Sequence, residues 1–284
     1  MIARFFAILL GMLGTGLASQ ASVSEVVSRS NEPYVRARLI SEHLHLAPGK
    51  RAWLALEFAI TPGWHMYWKG QNDTGMPPML DISLPPDYKV GEILWPAPER
   101  HVAPGDLLDS IVHEQMTLLI SVDVPVNAKP GTTARVALKA EWLVCQEACV
   151  LEETSLELVL PIRDTTPAAV ADPKHAGVFA AARERLPRKL PKENPPATIE
   201  WKDQTVVINA PGATTLTFHA EEDGVALTSP LTEATAKASR LQFRLKTPSD
   251  PEQRLLGVLE LRQEGKKPEF YTVSLPQPTP SKAG

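Results

Sequence analysis

From residue 133 to residue 142 apolar and polar side chains alternate. Ala134, Val136, Leu138, Ala140 and Trp142 point one way, and Arg135, Ala137, Lys139 and Glu141 point the other. A period of two marks a strand with one buried face. Shorter runs of the same kind recur. Residues 35–46 and 51–60 read as strands, the second with Leu54, Leu56, Phe58 and Ile60 on one face, and Pro48-Gly49 turns the chain between them. Residues 92–95, 116–124 and 156–160 read likewise. Residues 116–124 are apolar on both faces and therefore central in a sheet. Residues 96–105 read as a loop. The 27 prolines and 16 glycines punctuate these runs without a helical period between them. The pattern predicts an antiparallel β-sandwich.

The character changes at residues 165–196. Residues 173–186 are Ala-rich with helical spacing at Val178, Ala181, Ala182 and Leu186, and Pro187, Pro191, Pro195 and Pro196 then read as an extended connector. Residues 205–209, 215–219, 241–245, 255–261 and 270–275 read as strands of a second, smaller β domain. The expected organisation is a signal peptide at 1–21, a β-sandwich at 22–164, a helical and Pro-rich linker at 165–196, a second β domain at 197–276 and a polar tail at 277–284. In the first segment Arg4 precedes an apolar run at 5–13, too short to span a bilayer, and small residues allow cleavage after Ala18 or Ala21. Cleavage would take the net charge from −4 to −5, because the segment holds one Arg and no acid. A mildly acidic chain argues against nucleic acid and against an anionic membrane surface. No later run reaches eighteen apolar residues, so no stable membrane insertion is expected after cleavage.

Both cysteines of the chain, Cys145 and Cys149, follow the strand at 133–142. Their spacing permits a disulfide across a tight turn. A five-residue ring contributes only about 2 kcal/mol by loop entropy, so it is a poor staple and a plausible switch. A structural disulfide and a metal site remain the alternatives at this level. Zinc would need two further ligands, and no His lies within twenty residues. A soft-metal surface would draw on His65, Met66, Met76 and Met79, and a copper site on the thiols with Met66, Met76 or Met79. Residues 64–68 alternate, with Trp64, Met66 and Trp68 set against His65 and Tyr67, which reads first as a core face. His43 and His45 share one face of the strand expected at 35–46, and a solvated face outweighs a ligand pair. His219 reads as structural. Asn72-Asp73-Thr74 matches a glycosylation triplet, a pattern common by chance. Glu152 and Glu153 face opposite sides of a strand and make no acid–base pair. No hydrolase elbow, zinc helix or phosphate loop is present.

Four motifs then occur in order: Gly63-Trp-His-Met-Tyr-Trp68, Gly75-Met-Pro-Pro78, Leu94-Trp-Pro-Ala-Pro-Glu-Arg100 and Trp142-Leu-Val-Cys-Gln-Glu-Ala-Cys149. Over residues 35–162 the chain resembles the periplasmic N-terminal domain of the DsbD/ScsB thiol:disulfide interchange reductases, and its second domain is loosely similar to the extra β domain of the ScsB-like branch. The resemblance implies an immunoglobulin-like sandwich in the periplasm. It implies a redox couple of Cys145 and Cys149, with Cys149 receiving attack and Cys145 resolving, and no cofactor. A cap loop would fall within residues 96–110. Implied partners are thioredoxin-fold exported proteins and a separate membrane electron-transfer protein. Two departures stand out. Val150-Leu151 follow the pair where a Pro is common, and Ile111-Val112-His113 replace a Tyr-Gly-Tyr-like stretch. Glu141, Glu147, Glu152 and Glu153 outnumber the single base Lys139 around the pair. That balance predicts a couple more reducing than DsbA, at about −120 mV. The competing functions are a copper-binding or metal-delivery module and a non-catalytic β-sandwich interaction protein with a structural disulfide.

Overall fold

A computed structural model describes residues 22–23, 27–28, 32–164, 170–248, 250 and 252–278. The expected signal peptide lies outside these residues, as do parts of the linker and tail. Through the first half run β1 (Ser22–Val23), β2 (Val27–Ser28), β3 (Val35–Ser41), β4 (Arg51–Ile60), β5 (His65–Tyr67), β6 (Met79–Ser83), β7 (Lys89–Leu94), β8 (Glu99–Ala103), β9 (Leu107–His113), β10 (Gln115–Asp123), β11 (Thr133–Cys145) and β12 (Cys149–Pro161). Helix α1 (Ala176–Glu184) follows. Then come β13 (Arg188–Lys189), β14 (Thr198–Lys202), β15 (Thr205–Asn209), β16 (Thr215–Ala220), α2 (Pro230–Glu233), β17 (Thr235–Ala236), β18 (Arg240–Arg244), β19 (Leu255–Arg262) and β20 (Glu269–Leu275). The chain is all-β in class, with an immunoglobulin-like first half.

Two sheets form the first sandwich. One has the order β1-β3-β4-β10-β7. The other has β2-β12-β11-β5-β9-β8, with β6 pairing beside β5 on β11. Alternation decides the core. From β11 come Val136, Leu138, Trp142 and Val144; from β12, Leu156, Leu158 and Leu160; from β4, Leu54, Leu56 and Phe58; from β10, Met116, Leu118 and Ile120. All are buried in one cluster. Strand β10 lies between β4 and β7, and its second apolar face has its own cover. Leu119, with Ile40 and Ala55, packs under Phe179 and Ala182 of α1. The linker is thus docked. A bidentate Arg183–Glu42 pair, at 2.6 and 2.9 Å, holds α1 to the first sandwich. Strand β13 adds in parallel to β20, so this part of the Pro-rich stretch is built into the second half.

The second half has two sheets, β13-β20-β19-β16-β17 and β14-β15-β18, around a separate core that includes Val206, Phe218, Phe243 and Leu259. Val258 of β19 joins the first core, so the two halves share an apolar seam.

Four sequence expectations change. The strand expected at 35–46 stops at Ser41, because Leu44 and Leu46 take their backbone partners from Val170 and Pro161 instead of a sheet neighbour. Residues 99–103, expected in a loop, form the edge strand β8; an edge strand needs little apolar content. The strand expected at 156–160 begins at Cys149, so β11 and β12 make thirteen consecutive antiparallel pairs.

Glu152 is the fourth. Expected as a charge near the cysteines, it is fully buried on the inner face. It accepts hydrogen bonds from the Tyr34 and Val35 amides at 2.7 and 3.1 Å and from Trp142 Nε1 at 3.2 Å. One carboxylate therefore satisfies the entry of β3 and a fully buried indole of the core. Glu152→Leu orphans three buried donors and is expected to destabilise the protein by about 3 kcal/mol. The check is urea unfolding, in which the midpoint falls and the slope is unchanged.

Candidate functional site

Cys145 ends β11 and Cys149 begins β12, and the two are direct partners in the register. Directly opposed antiparallel residues share a face and approach closely. The Cα atoms are 4.1 Å apart and the sulfurs are bonded at 2.02 Å. The three-residue turn Gln146-Glu147-Ala148 is exposed, as is Cys149, whereas Cys145 is 3% exposed. The two sulfurs are therefore unequal, one open to a partner and one covered.

The same register fills the face around Cys145. β5 lies beside the end of β11, with His65 opposite Cys145, and β9 lies beside β5, with His113 opposite His65 and Ile111 opposite Tyr67. On β8, His101 lies opposite Asp109. Tyr67, Ile111 and Cys145 form a small buried cluster, with Leu143 against it. Tyr67 and His65 thus look out over the disulfide, while Met66 and Trp68 point into the sandwich core.

Tyr67 is the side chain that meets both sulfurs. Its hydroxyl lies 3.2 Å from Cys145 Sγ and 3.5 Å from Cys149 Sγ, and 2.9 Å from Thr74 Oγ1. Thr74 donates its hydroxyl proton to Asp109 Oδ2 at 2.6 Å, and the Asp73 and Thr74 amides donate to Asp109 Oδ1, each at 3.0 Å. With Thr74's only proton on the carboxylate, Thr74 accepts from Tyr67, and the single Tyr67 proton is shared between Thr74 and the sulfurs. Burial, opposed by the hydrogen bond with Thr74 and aided by the Asp109 charge, holds the Tyr67 hydroxyl above the usual phenol range. It stays a donor at neutral pH. Gly75 passes so close to the Tyr67 ring that a Cβ there would sit 2.2 Å from Cε2. The element lying over the Tyr67 ring is thus the loop after β5. Residues 96–110, where a cap loop was expected, supply β8 and the start of β9.

Three imidazoles border the centre. The His65 ring is 5.2 Å from His101, 5.8 Å from His113 and 5.6 Å from Tyr67. Burial first, then His101 and His113, with Asp109 in opposition, push the His65 imidazole down to about 4. The folded state therefore favours neutral His65, while an unfolded chain takes up a proton near pH 6.5. Stability from this residue is complete above about pH 6.5 and is lost as the pH falls towards 4. The loss from this group is up to about 3 kcal/mol. Denaturation at pH 7.5 and pH 4.5 should show a smaller acid loss in His65→Phe by that amount.

The soft-metal set does not assemble. Met66 is buried in the core, on the opposite face from His65, while Met76 and Met79 lie on the exposed surface. His43 is not in a strand, and His45, expected on a solvated face, is 5% exposed with burial lowering its pKa. Among the described residues no group of three His, Cys, Asp or Glu is arranged to hold a metal ion. Ser110, His219 and Glu260 line up like a hydrolytic triad, at 3.4 and 3.2 Å. The cavity beside them measures only about 20 Å³, room for a water and no substrate.

The sequence reading missed Tyr67, Thr74 and Asp109 as site residues. The available signal was the polar run Asn72-Asp-Thr directly after an aromatic strand and before Gly75.

A hairpin-tip disulfide with one open and one covered sulfur, on a sandwich, defines the class. Residues 37–161 match the family described as thiol:disulfide interchange protein DsbD, N-terminal. That segment is a DsbD N-terminal-like domain. The N-terminal periplasmic domain of ScsB from Proteus mirabilis shares the fold: 13% identity over 91% of this chain and 100% of that chain, TM-score 0.57. The reduced DsbD N-terminal domain of Neisseria meningitidis matches over 38% of this chain and 75% of that chain, with 14% identity and TM-score 0.26. No curated protein sequence matches the chain. Among the described residues no helix is long and apolar enough to cross a membrane.

Proposed function

We propose that this chain is a periplasmic thiol–disulfide exchange module. It passes electron pairs through Cys145 and Cys149, from a separate membrane reductase to exported thioredoxin-fold proteins. The observation that carries this reading is the asymmetry of the pair: Cys149 is exposed and Cys145 is buried beneath a hydroxyl donor.

Reduction starts when a partner thiolate attacks Cys149 Sγ in line with the S–S bond. A bond forms between the partner sulfur and Cys149, the bond to Cys145 breaks, and its electron pair leaves on Cys145 Sγ. The Tyr67 proton turns from Thr74 to that developing thiolate, a charge-assisted hydrogen bond stronger than the one to a neutral disulfide. The partner's second thiolate then attacks its own mixed-disulfide sulfur and releases Cys149. Two electrons have moved, and protons from solvent complete the two thiols. Delivery onward is the reverse: Cys149 attacks the next disulfide and Cys145 closes on Cys149. Burying a thiolate at Cys145 is costly, which favours the disulfide and supports a couple more reducing than DsbA.

In Cys145→Ser the mixed disulfide cannot be resolved. Incubated with a periplasmic extract, this variant should accumulate an adduct on Cys149, cleaved by dithiothreitol, and Cys149→Ser should give none. Equal function of a double-Ser variant, with no adduct, would instead mark the disulfide as structural. Tyr67→Phe removes one hydrogen bond to a forming charge, so stopped-flow reduction by a dithiol should slow about tenfold.

A further inference from the structure

The loop that holds Thr74 against Tyr67 is fastened at its other end to the second β domain. Gln71 is the fastening. Its amide donates to Ala220 O at 3.0 Å, its side-chain Nε2 donates to Glu221 O and Val225 O at 3.1 and 3.2 Å, and its Oε1 accepts from the Leu227 amide at 3.2 Å. Beside it the Glu222 amide donates to Lys69 O at 3.2 Å and Lys69 Nζ meets Glu221 Oε2 at 2.8 Å. The next three residues turn back to the first domain. Asn72 accepts from the Ser110 amide at 2.7 Å, Asp73 accepts from the Leu108 amide at 2.7 Å, and Thr74 bonds Asp109. Four residues, Gln71 to Thr74, therefore link the second domain to the phenol that touches both sulfurs.

We propose that the second β domain is a clamp on the redox centre and that Gln71 is its positioning residue. By fixing Gln71 the domain fixes the loop, and through Thr74 and Tyr67 it sets how well the reduced Cys145 is stabilised. Released from the clamp, Thr74 drifts from Tyr67 and no longer competes with Cys145 Sγ for the one hydroxyl proton. The reduced form is then more favoured, and the equilibrium moves towards the dithiol. This inference rests on the exchange reading above.

The test uses the full exported chain. The thiol and disulfide forms are quantified by alkylation after equilibration with mixtures of reduced and oxidised dithiothreitol. Gln71→Ala should shift the equilibrium constant about threefold towards the dithiol, and Tyr67→Phe about tenfold towards the disulfide, which is about 30 mV for a two-electron couple. Because the clamp acts through Tyr67, Gln71→Ala in the Tyr67→Phe background should add nothing. An unchanged constant in Gln71→Ala overturns the clamp, as does a double variant that shows both shifts in full. A wild-type pair that never exchanges overturns the exchange reading instead. If Gln71→Ala does not fold, Glu221→Gln carries the test, since it weakens only the Lys69 link. A smaller shift in the same direction, absent in the Tyr67→Phe background, supports the clamp, and no shift overturns it.

Discussion

The thirteen-pair register between β11 and β12 is the constraint on which the site depends. A hairpin of that length cannot slip by one residue without turning Trp142, Leu138 and Leu158 out of the core. The same register that buries those side chains therefore sets Cys145 opposite Cys149 at the tip. The sulfurs meet because the sheet brings them together.

The buried groups around this frame divide the work. On the inner face, Glu152 satisfies two β3 amides and the Trp142 indole. On the outer face, Asp109 gathers Thr74 and two loop amides, so that Thr74 and the sulfurs share the Tyr67 proton. Each carboxylate is bound by donors on the side it faces, so each acts locally. The charge near the sulfurs is thus not the simple excess of acid found along the chain. It is a hydroxyl donor backed by one carboxylate two bonds away, with three imidazoles alongside.

Much of the scaffold was legible because burial imposes a period. Ala134 to Trp142 showed their face directly, and the second-half strands began and ended close to their turn residues. The exposed edge strand Glu99–Ala103 gave no such signal, because only one of its edges is paired and little of it is buried. Within the site the cysteines were legible from spacing alone. Tyr67 and Asp109 were not, since what joins them is a cross-strand offset between β5 and β9 that no local pattern encodes. Gln71 was less legible still, because its partners lie some 150 residues further on.

The seam between the halves has a practical meaning. Ser110, His219, Glu260 and Arg100 are tucked into it, and Val258 crosses it. Cutting the chain after the linker would open the His219–Glu260 hydrogen bond to water, strand the Gln71 amide and leave an apolar scar beside the loop over Tyr67. A domain excised in that way would carry the same two sulfurs, yet it would report the chemistry of a different molecule.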